Sequence, residues 1–368
     1  MTTTRAEPQP ADFADVRTTN LAVVLRHLRA HGPSSRAAIA ASTGLTKATV
    51  SSLTGDLIAH RLLRETGLSG NRIGRPATAL TLDGSAYAAI GIQVSPGQLT
   101  ALAVDYAGDQ LLLWHRAFEP RRMNSEIVAL AQRAASRVRQ HGRHLLGLTV
   151  AVPSPDLRDL IAGSLRQKDL VVTVAHHAVL AAVAEQRQAG RPGGDLAYIS
   201  GAAGLEAGLI LDGHVRRGGR LGGFTLGPAG SPTLQDQAGI ETLVKRALPD
   251  FDPSALIDLG PAVEQVAARA RAGDAVALAT LAHTGSYLGQ GLAVLTNLIN
   301  PEVMILGDHF ATLAEWLIPA ARAELSRHGK ASAVRVVAST LGLHAAALGG
   351  AVAHLDQVDI GRIPQPVG

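Results

Sequence analysis

Lys47, Thr49, Ser51 and Ser52 stand close together early in the chain, with Thr46 just ahead of them. On the exposed first turns of a helix, such short polar residues suit the base edges of a major groove. Farther on, Arg72 and Arg75 lie in GLSGNRIGRP, a stretch too rich in glycine and charge to enter a core. Arginines in such a loop can slide into a narrow minor groove or clamp phosphates, although the loop taken alone reads equally well as solvated surface. Ser35 and Arg36, at the start of the preceding helical stretch, join the candidate DNA-facing set.

Other chemistry has less to work with. The chain has no cysteine, which removes disulfides, thiolate zinc sites and cysteine nucleophiles. His176 and His177 invite a metal reading, but neighbours at a strand end point to opposite faces and no carboxylate or third histidine stands at ligand spacing. They are expected to be structural or cleft-lining histidines, with no metal and no cofactor. Asp236 and Glu241 read as an ordinary helix start, where an acidic residue complements the helix dipole.

The elements that must position the DNA-facing residues are legible. LAVVLRHLRA places Leu21, Val24, Leu25 and Leu28 on one helical stripe, ended by Gly32 and Pro33. Ser34 or Ser35 can cap a second, short helix reaching Ala41, Gly44 supplies a turn, and Thr46 caps a third helix that buries Val50, Leu53 and Leu57. Extended runs at Leu62 to Thr66 and Ala77 to Leu82 flank the basic loop, which makes it the wing of a winged helix-turn-helix with Arg72 and Arg75 at its tip.

From residue 88 the pattern changes. AAIGIQV, LTALAVDYAG and QLLLWHRAF read as consecutive strands, followed by a helix over about Ser125 to His141, strands HLLGLTVAV and LVVTVAH, and a helix AVLAAVAEQRQ. LAYISGAAG, LEAGLILDG and HVRRGG repeat the three-strand opening, with helices near 236–248, 260–272 and 274–299, strands at VMILG and VRVVAST, and a last helix from His344 to Leu355. Two copies of one theme predict two similar lobes in an α/β fold. The apolar run within 274–299 is read first as a core helix and second as part of a subunit contact.

Residues 1 to 85 carry ten Lys plus Arg against six Asp plus Glu, which accounts for the whole formal net charge of +4 and leaves the remaining residues balanced. Phosphate attraction therefore falls on the N-terminal module. Aromatic residues make up 3% of the chain, too few for a base-stacking platform. No signal-peptide pattern and no apolar run of about 18 residues is present, so a cytoplasmic location is expected.

SRAAIAASTGLTKATVSSLTGDLI with GRPATALTL, the loop-bearing YISGAAGLEAGLILDG, LGQGLAVLTNLINPEVMILGD and AAALGGAVAHL together resemble the ROK family, which groups sugar-responsive repressors with sugar kinases on a two-lobed actin-like and hexokinase-like fold. Residues 1–15, rich in Thr, Pro and Asp, read as a flexible tail and 16–85 as the winged helix-turn-helix, and the resemblance implies a ROK-like body at 86–360, with lobe 1 at about 86–192 plus 344–358 and lobe 2 at about 193–343. It also shows what has been lost. Where the family's kinases carry an Asp-x-Gly-Gly-Thr-Lys phosphate loop, this chain has Gln93, Val94, Ser95, Pro96, Gly97 and Gln98. His177 stands for the catalytic Asp, in the run Ala175 to Val179. The sugar-gripping Glu and His are replaced within Phe224, Thr225, Leu226, Gly227 and Pro228, and the zinc thiolates are gone. The second phosphate loop survives only as Ser200, Gly201, Ala202, Ala203 and Gly204.

These residues imply no enzyme but a DNA-binding regulator, a repressor that reads double-stranded DNA at a palindromic operator as a homodimer or dimer of dimers. The body would be a dead kinase serving dimerisation, with a candidate small-molecule effector cleft at His176, His177, Gly201, Gly204 and Thr225. A ROK sugar kinase, or a DNA-binding scaffold indifferent to small molecules, is the alternative.

Overall fold

The computed structural model describes residues 13–67, 78–152, 156–165, 170–190, 194–202, 204–225, 227–250, 258–327 and 334–365. The head begins with α1 (Phe13–His31), followed by the two-residue β1 (Ser34–Ser35), α2 (Arg36–Thr43), α3 (Lys47–Ala59), β2 (Leu63–Thr66) and β3 (Ala79–Leu82). Leu21, Val24, Leu25 and Leu28 of α1 are buried with Ile39, Val50, Leu53 and Leu57, the stripe that the helical spacing predicts. Gly44, at φ 75°, closes α2 in the left-handed region and lets the chain turn into α3. The sheet has three strands, not two: β1 pairs antiparallel with β3 on the side opposite β2. A two-residue strand carries no periodicity for the sequence to reveal. Helix α1 also starts earlier than expected, at Phe13.

Two five-stranded sheets follow. The first is built from β4 (Tyr87–Ser95), β5 (Gln98–Asp105), β6 (Gln110–Ala117), then α4 (Met123–Gln140), β7 (His144–Ala151), α5 (Asp156–Ser164) and β8 (Val171–Ala175), in strand order β6-β5-β4-β7-β8. After α6 (His177–Gln188), the second sheet runs through β9 (Leu196–Gly201), β10 (Leu205–Leu211) and β11 (His214–Gly219), followed by α7 (Leu234–Ala238), α8 (Ile240–Ala247), α9 (Gly260–Arg271), α10 (Ala275–Ile299), β12 (Val303–Leu306), α11 (His309–Thr312), α12 (Ala314–Arg327) and β13 (Arg335–Ala338). Its order, β11-β10-β9-β12-β13, repeats the first, with antiparallel pairing among the opening three strands and parallel pairing in the last two. The chain ends in α13 (Ala345–Asp359).

Helices α5, α11 and α12 were not foreseen from the sequence. Helix α12 is the crossover that parallel β12 and β13 require; its Pro319 reads as a helix breaker. The predicted helix over 236–248 is split at Gly239 into α7 and α8. Helix α10 is mainly a core helix: Gly285 and Gly289 let it approach the backbone of α12 at Leu317 and Ala321 closely.

Helices α6 and α13 lie between the two sheets. α13 packs on β4, β5 and β7, while α6 packs on α13 and on β9, β10 and β11. α6 meets both neighbours almost backbone against backbone: a Cβ on Gly349 of α13 would come within 1.7 Å of the Leu180 carbonyl oxygen, and one on Gly208 of β10 within 1.9 Å of the Ala178 carbonyl oxygen. The head is joined to this region by packing, because Leu21, Val24 and Leu28 belong to the same buried cluster as Tyr106, Leu355 and Val358.

Candidate nucleic-acid interface and interlobe crevice

Helix α3 begins on a firm cap. Thr46 Oγ1 accepts from the Thr49 backbone N–H at 3.1 Å and lies 2.9 Å from the Thr49 hydroxyl. Lys47, Ser51 and Ser52 are exposed beyond it and Thr49 is half-buried, so a short polar face with one cation is displayed at the helix start. The opposite face is anchored by Thr54, fully buried, whose hydroxyl donates to the Val50 carbonyl at 2.8 Å.

Two of the candidate DNA contacts also have structural duties. Arg36 donates to Thr54 Oγ1 at 3.1 Å and pairs with Glu65 at 3.0 Å, so its guanidinium joins α2, α3 and β2. Ser35 caps α2 by accepting from the Ala38 N–H at 3.2 Å. The ion pair between Arg17 and Asp56 ties α1 to α3. Arg72 and Arg75 lie outside the described residues.

In the body, residues 93–98 form a tight hairpin. Ser95 pairs with Gln98 across Pro96 and Gly97, the latter at φ 65°. The Gln93 amide is fully used within the fold, donating to the Leu343 carbonyl at 2.6 Å and Ser95 Oγ at 3.1 Å and accepting from the Ala347 N–H at 3.2 Å. A two-residue turn containing a proline presents no run of free amides to an anion.

His177 does not sit on a strand end; it opens α6, with His176 as the N-cap. The two histidines still diverge, His176 outward and His177 inward. His177 Nε2 is 3.1 and 3.2 Å from the two oxygens of Asp308, and Ser200 Oγ donates to Oδ2 of the same carboxylate at 2.6 Å. Burial would lower the His177 pKa, but the Asp308 charge and hydrogen bond outweigh it, with Glu206 adding to them, and hold it above its ordinary value. Burial likewise opposes ionisation of Asp308, yet His177 and Ser200 keep its carboxyl below the usual range. Both shifts favour the charged forms, so the buried contact is an ion pair whenever His177 is protonated. Asp308 adopts φ 52°, ψ −130°, a backbone region that side chains rarely enter, at a cost of about 1–3 kcal/mol.

A shallow crevice lies beside this pair, at the start of α6, and neither His177 nor Asp308 lines it. His176 lines it with Glu206, Gly218, Gly219 and Arg220. Gly201 faces the Phe310 ring, where a Cβ would come within 2.6 Å of it. The Leu205 N–H just beyond Gly204 donates to Gln235 at 2.6 Å, so the turn after β9 is stitched to α7. Thr225 is exposed and bridges to Thr233. Asp236 forms a capping box with Thr233, an ordinary helix start as its sequence suggested. Among the described residues no group of three His, Cys, Asp or Glu is arranged to hold a metal ion, and no helix is long and apolar enough to cross a membrane.

A capped recognition helix with a small antiparallel sheet beside it, set in front of two lobes of identical strand order, defines a DNA-binding regulator carrying an actin-like body. Comparisons with known proteins agree. Residues 18–67 match the IclR helix-turn-helix domain and residues 237–357 match the ROK family. The chain is 24% identical to the xylose repressor of Bacillus spizizenii over 366 residues, covering 92% of this chain and 95% of that one. Among solved structures, a ROK family transcriptional regulator described as a homolog of the E. coli MLC protein superposes over 95% of this chain and 98% of its own with a TM-score of 0.73 at 20% identity. The ROK glucokinase of Streptomyces griseus, solved with glucose and AMPPNP, covers only 72% of this chain, with a TM-score of 0.58 and 23% identity. The matches show an IclR-type helix-turn-helix domain followed by a ROK domain, the arrangement of the repressors to which the chain is similar.

Proposed function

We propose that the protein is a repressor that reads a palindromic operator as a homodimer or dimer of dimers in the cytoplasm, through Lys47, Thr49, Ser51 and Ser52 of α3 and through Arg72 and Arg75. The observation that carries this reading is the side-chain-capped start of α3, which leaves Lys47, Ser51 and Ser52 exposed on one polar face. One such helix reads only a few base pairs, so useful specificity needs two half-sites at a fixed spacing. The relatives named as repressors support the sign of regulation.

The body acts without phosphoryl transfer. A proline hairpin stands where amides would cradle phosphates, and the residue in the place of the general base is tied to Asp308 as an ion pair. Its crevice at His176, His177, Gly201, Gly204 and Thr225 is the candidate effector site, and a ligand that prefers one lobe arrangement would shift operator affinity by the ratio of its two affinities. Lacking the charged sugar grips, it should bind ordinary hexoses weakly or not at all.

Genomic footprinting with the purified full chain tests the reading: discrete sites with paired half-sites are expected, and uniform coverage of the genome would overturn it. A coupled assay with ATP and a sugar panel should give no turnover; turnover at ordinary kinase rates would restore the kinase alternative. Operator binding unmoved by every metabolite adjoining the footprinted genes would favour a scaffold over a sensor.

A further inference from the structure

Helix α6 is bolted at both ends by carboxylates that belong to different parts of the molecule. At its first residue, His177 is held by Asp308, which follows β12 and is itself held by Ser200 at the end of β9. Near its last turn, Arg187 pairs with Asp356 and Asp359 of α13, the latter at 3.4 Å. Asp359 is shared: Arg29 of the head's α1 reaches it at 2.6 Å through Nε and 3.0 Å through Nη2, and the Tyr106 hydroxyl donates to it at 2.9 Å. Arg29 also donates to the Tyr106 carbonyl at 3.1 Å and lies over the Tyr106 ring. Asp359 is withdrawn from solvent, being 6% exposed, and burial next to Arg29 pushes the Arg187 pKa down to about 10.

Between its two anchors α6 has no room to deform locally. It is squeezed against Gly208 on one side and Gly349 on the other, at distances where not even a methyl group would fit. A helix packed this closely moves as a unit, and from His177 to Arg187 it spans about 15 Å.

We propose that α6 is the rod that couples the interlobe crevice to the DNA-binding head, with Asp308 as its crevice anchor and the Arg187–Asp359–Arg29 node as its head anchor. Whatever displaces His177 from Asp308, just behind the crevice that His176 lines, tilts or slides α6 and so disturbs the contact that sets α1 on the body. Asp308 and Asp359 are positioning residues: neither touches DNA, and their effect on binding passes through α6. The inference rests on the DNA-binding reading for its biological meaning but can be scored without DNA.

The test uses the full chain and the substitution Asp308→Gly, which removes the carboxylate while suiting the local backbone. Hydrogen exchange of α6 and α1 is measured without DNA, and affinity is measured on duplexes selected with the wild type. Exchange should rise in the first turn of α6 and also around Arg29, and affinity should change about fivefold or more. In an Arg187→Met background, Asp308→Gly should change neither α1 exchange nor affinity by more than about twofold; if that background is unstable, Arg29→Met cuts the path on the head side. Loosening of α6 with α1 and affinity unmoved overturns the proposal. So does an unchanged α6, or an Asp308→Gly effect that survives the cut. A wild type that selects no duplex refutes the DNA reading, while the exchange data still decide the coupling.

Discussion

At the scale of single residues, the cap of α3, its buried stripe and the short polar side chains it exposes were readable in advance because they rest on local chemistry. Replacing Lys47 or Thr49 with alanine should therefore relax base preference at individual operator positions, by about 1–3 kcal/mol per lost base contact, as measured by binding to single-base operator variants. Joint replacement of Arg72 and Arg75 should instead weaken all duplexes alike. The role of Arg36 was not readable. Its partners Thr54 and Glu65 lie 18 and 29 residues away, and nothing in the sequence around Arg36 says that the guanidinium turns inward. The same holds for Asp308, whose partners sit 108 and 131 residues off.

Two buried histidines give opposite pH signatures. His354 of α13, bonded to Thr149 at 2.9 Å, is pushed down to about 4 by burial, with a backbone bond at Leu148 opposing the shift. The unfolded chain takes up a proton there near pH 6.5 and the folded one does not, so stability falls as pH drops from about 6.5 toward 4, by roughly 3 kcal/mol in all. Denaturant melts across that range should show the loss, and His354→Gln should flatten it. His177, raised by Asp308, behaves the other way: its contribution is complete below pH 6.5 and fades as pH climbs through the raised value. An acid limb identical in wild type and His354→Gln would refute the assignment.

At the scale of elements, the repeated strand–strand–strand–helix theme gave both sheets and most helices their approximate bounds, since buried strands and amphipathic helices carry their own periodicity. What escaped were elements defined by distant packing. The brief β1 exists because β3 runs beside it, and α12 is helical despite Pro319 because Leu317, Ala321 and Leu325 bury against α10 and the second core. The seam between α6 and α13 was also hidden. AAALGGAVAHL spells small residues, but only the fold shows Gly349 lying on the Leu180 carbonyl. Gly349→Ala should force that seam apart at a cost of about 1–3 kcal/mol or more, lowering the thermal midpoint; a melt indistinguishable from wild type would mean that the seam is slack.

At the scale of the molecule, all of the excess positive charge resides in residues 1–85. The logarithm of operator affinity should fall linearly with the logarithm of salt concentration, with a slope near −0.9 for each phosphate neutralised, and neutralising surface arginines of the two lobes should leave that slope unchanged. A slope that follows body substitutions would place DNA on a second surface.

The head is no bead on a string. Its core runs without a break into the first lobe through Leu25, Tyr106, Leu355 and Val358, and the strand of chain after α13 closes over the seam, Tyr87 donating to the Gln365 carbonyl at 3.3 Å and Gly361 lying against Thr18. Anyone grafting a different reading head onto this body must carry the matching end of the final helix and its trailing residues along with it. A chimera joined only at residue 85 would inherit a recognition module whose aim no longer matches its chassis.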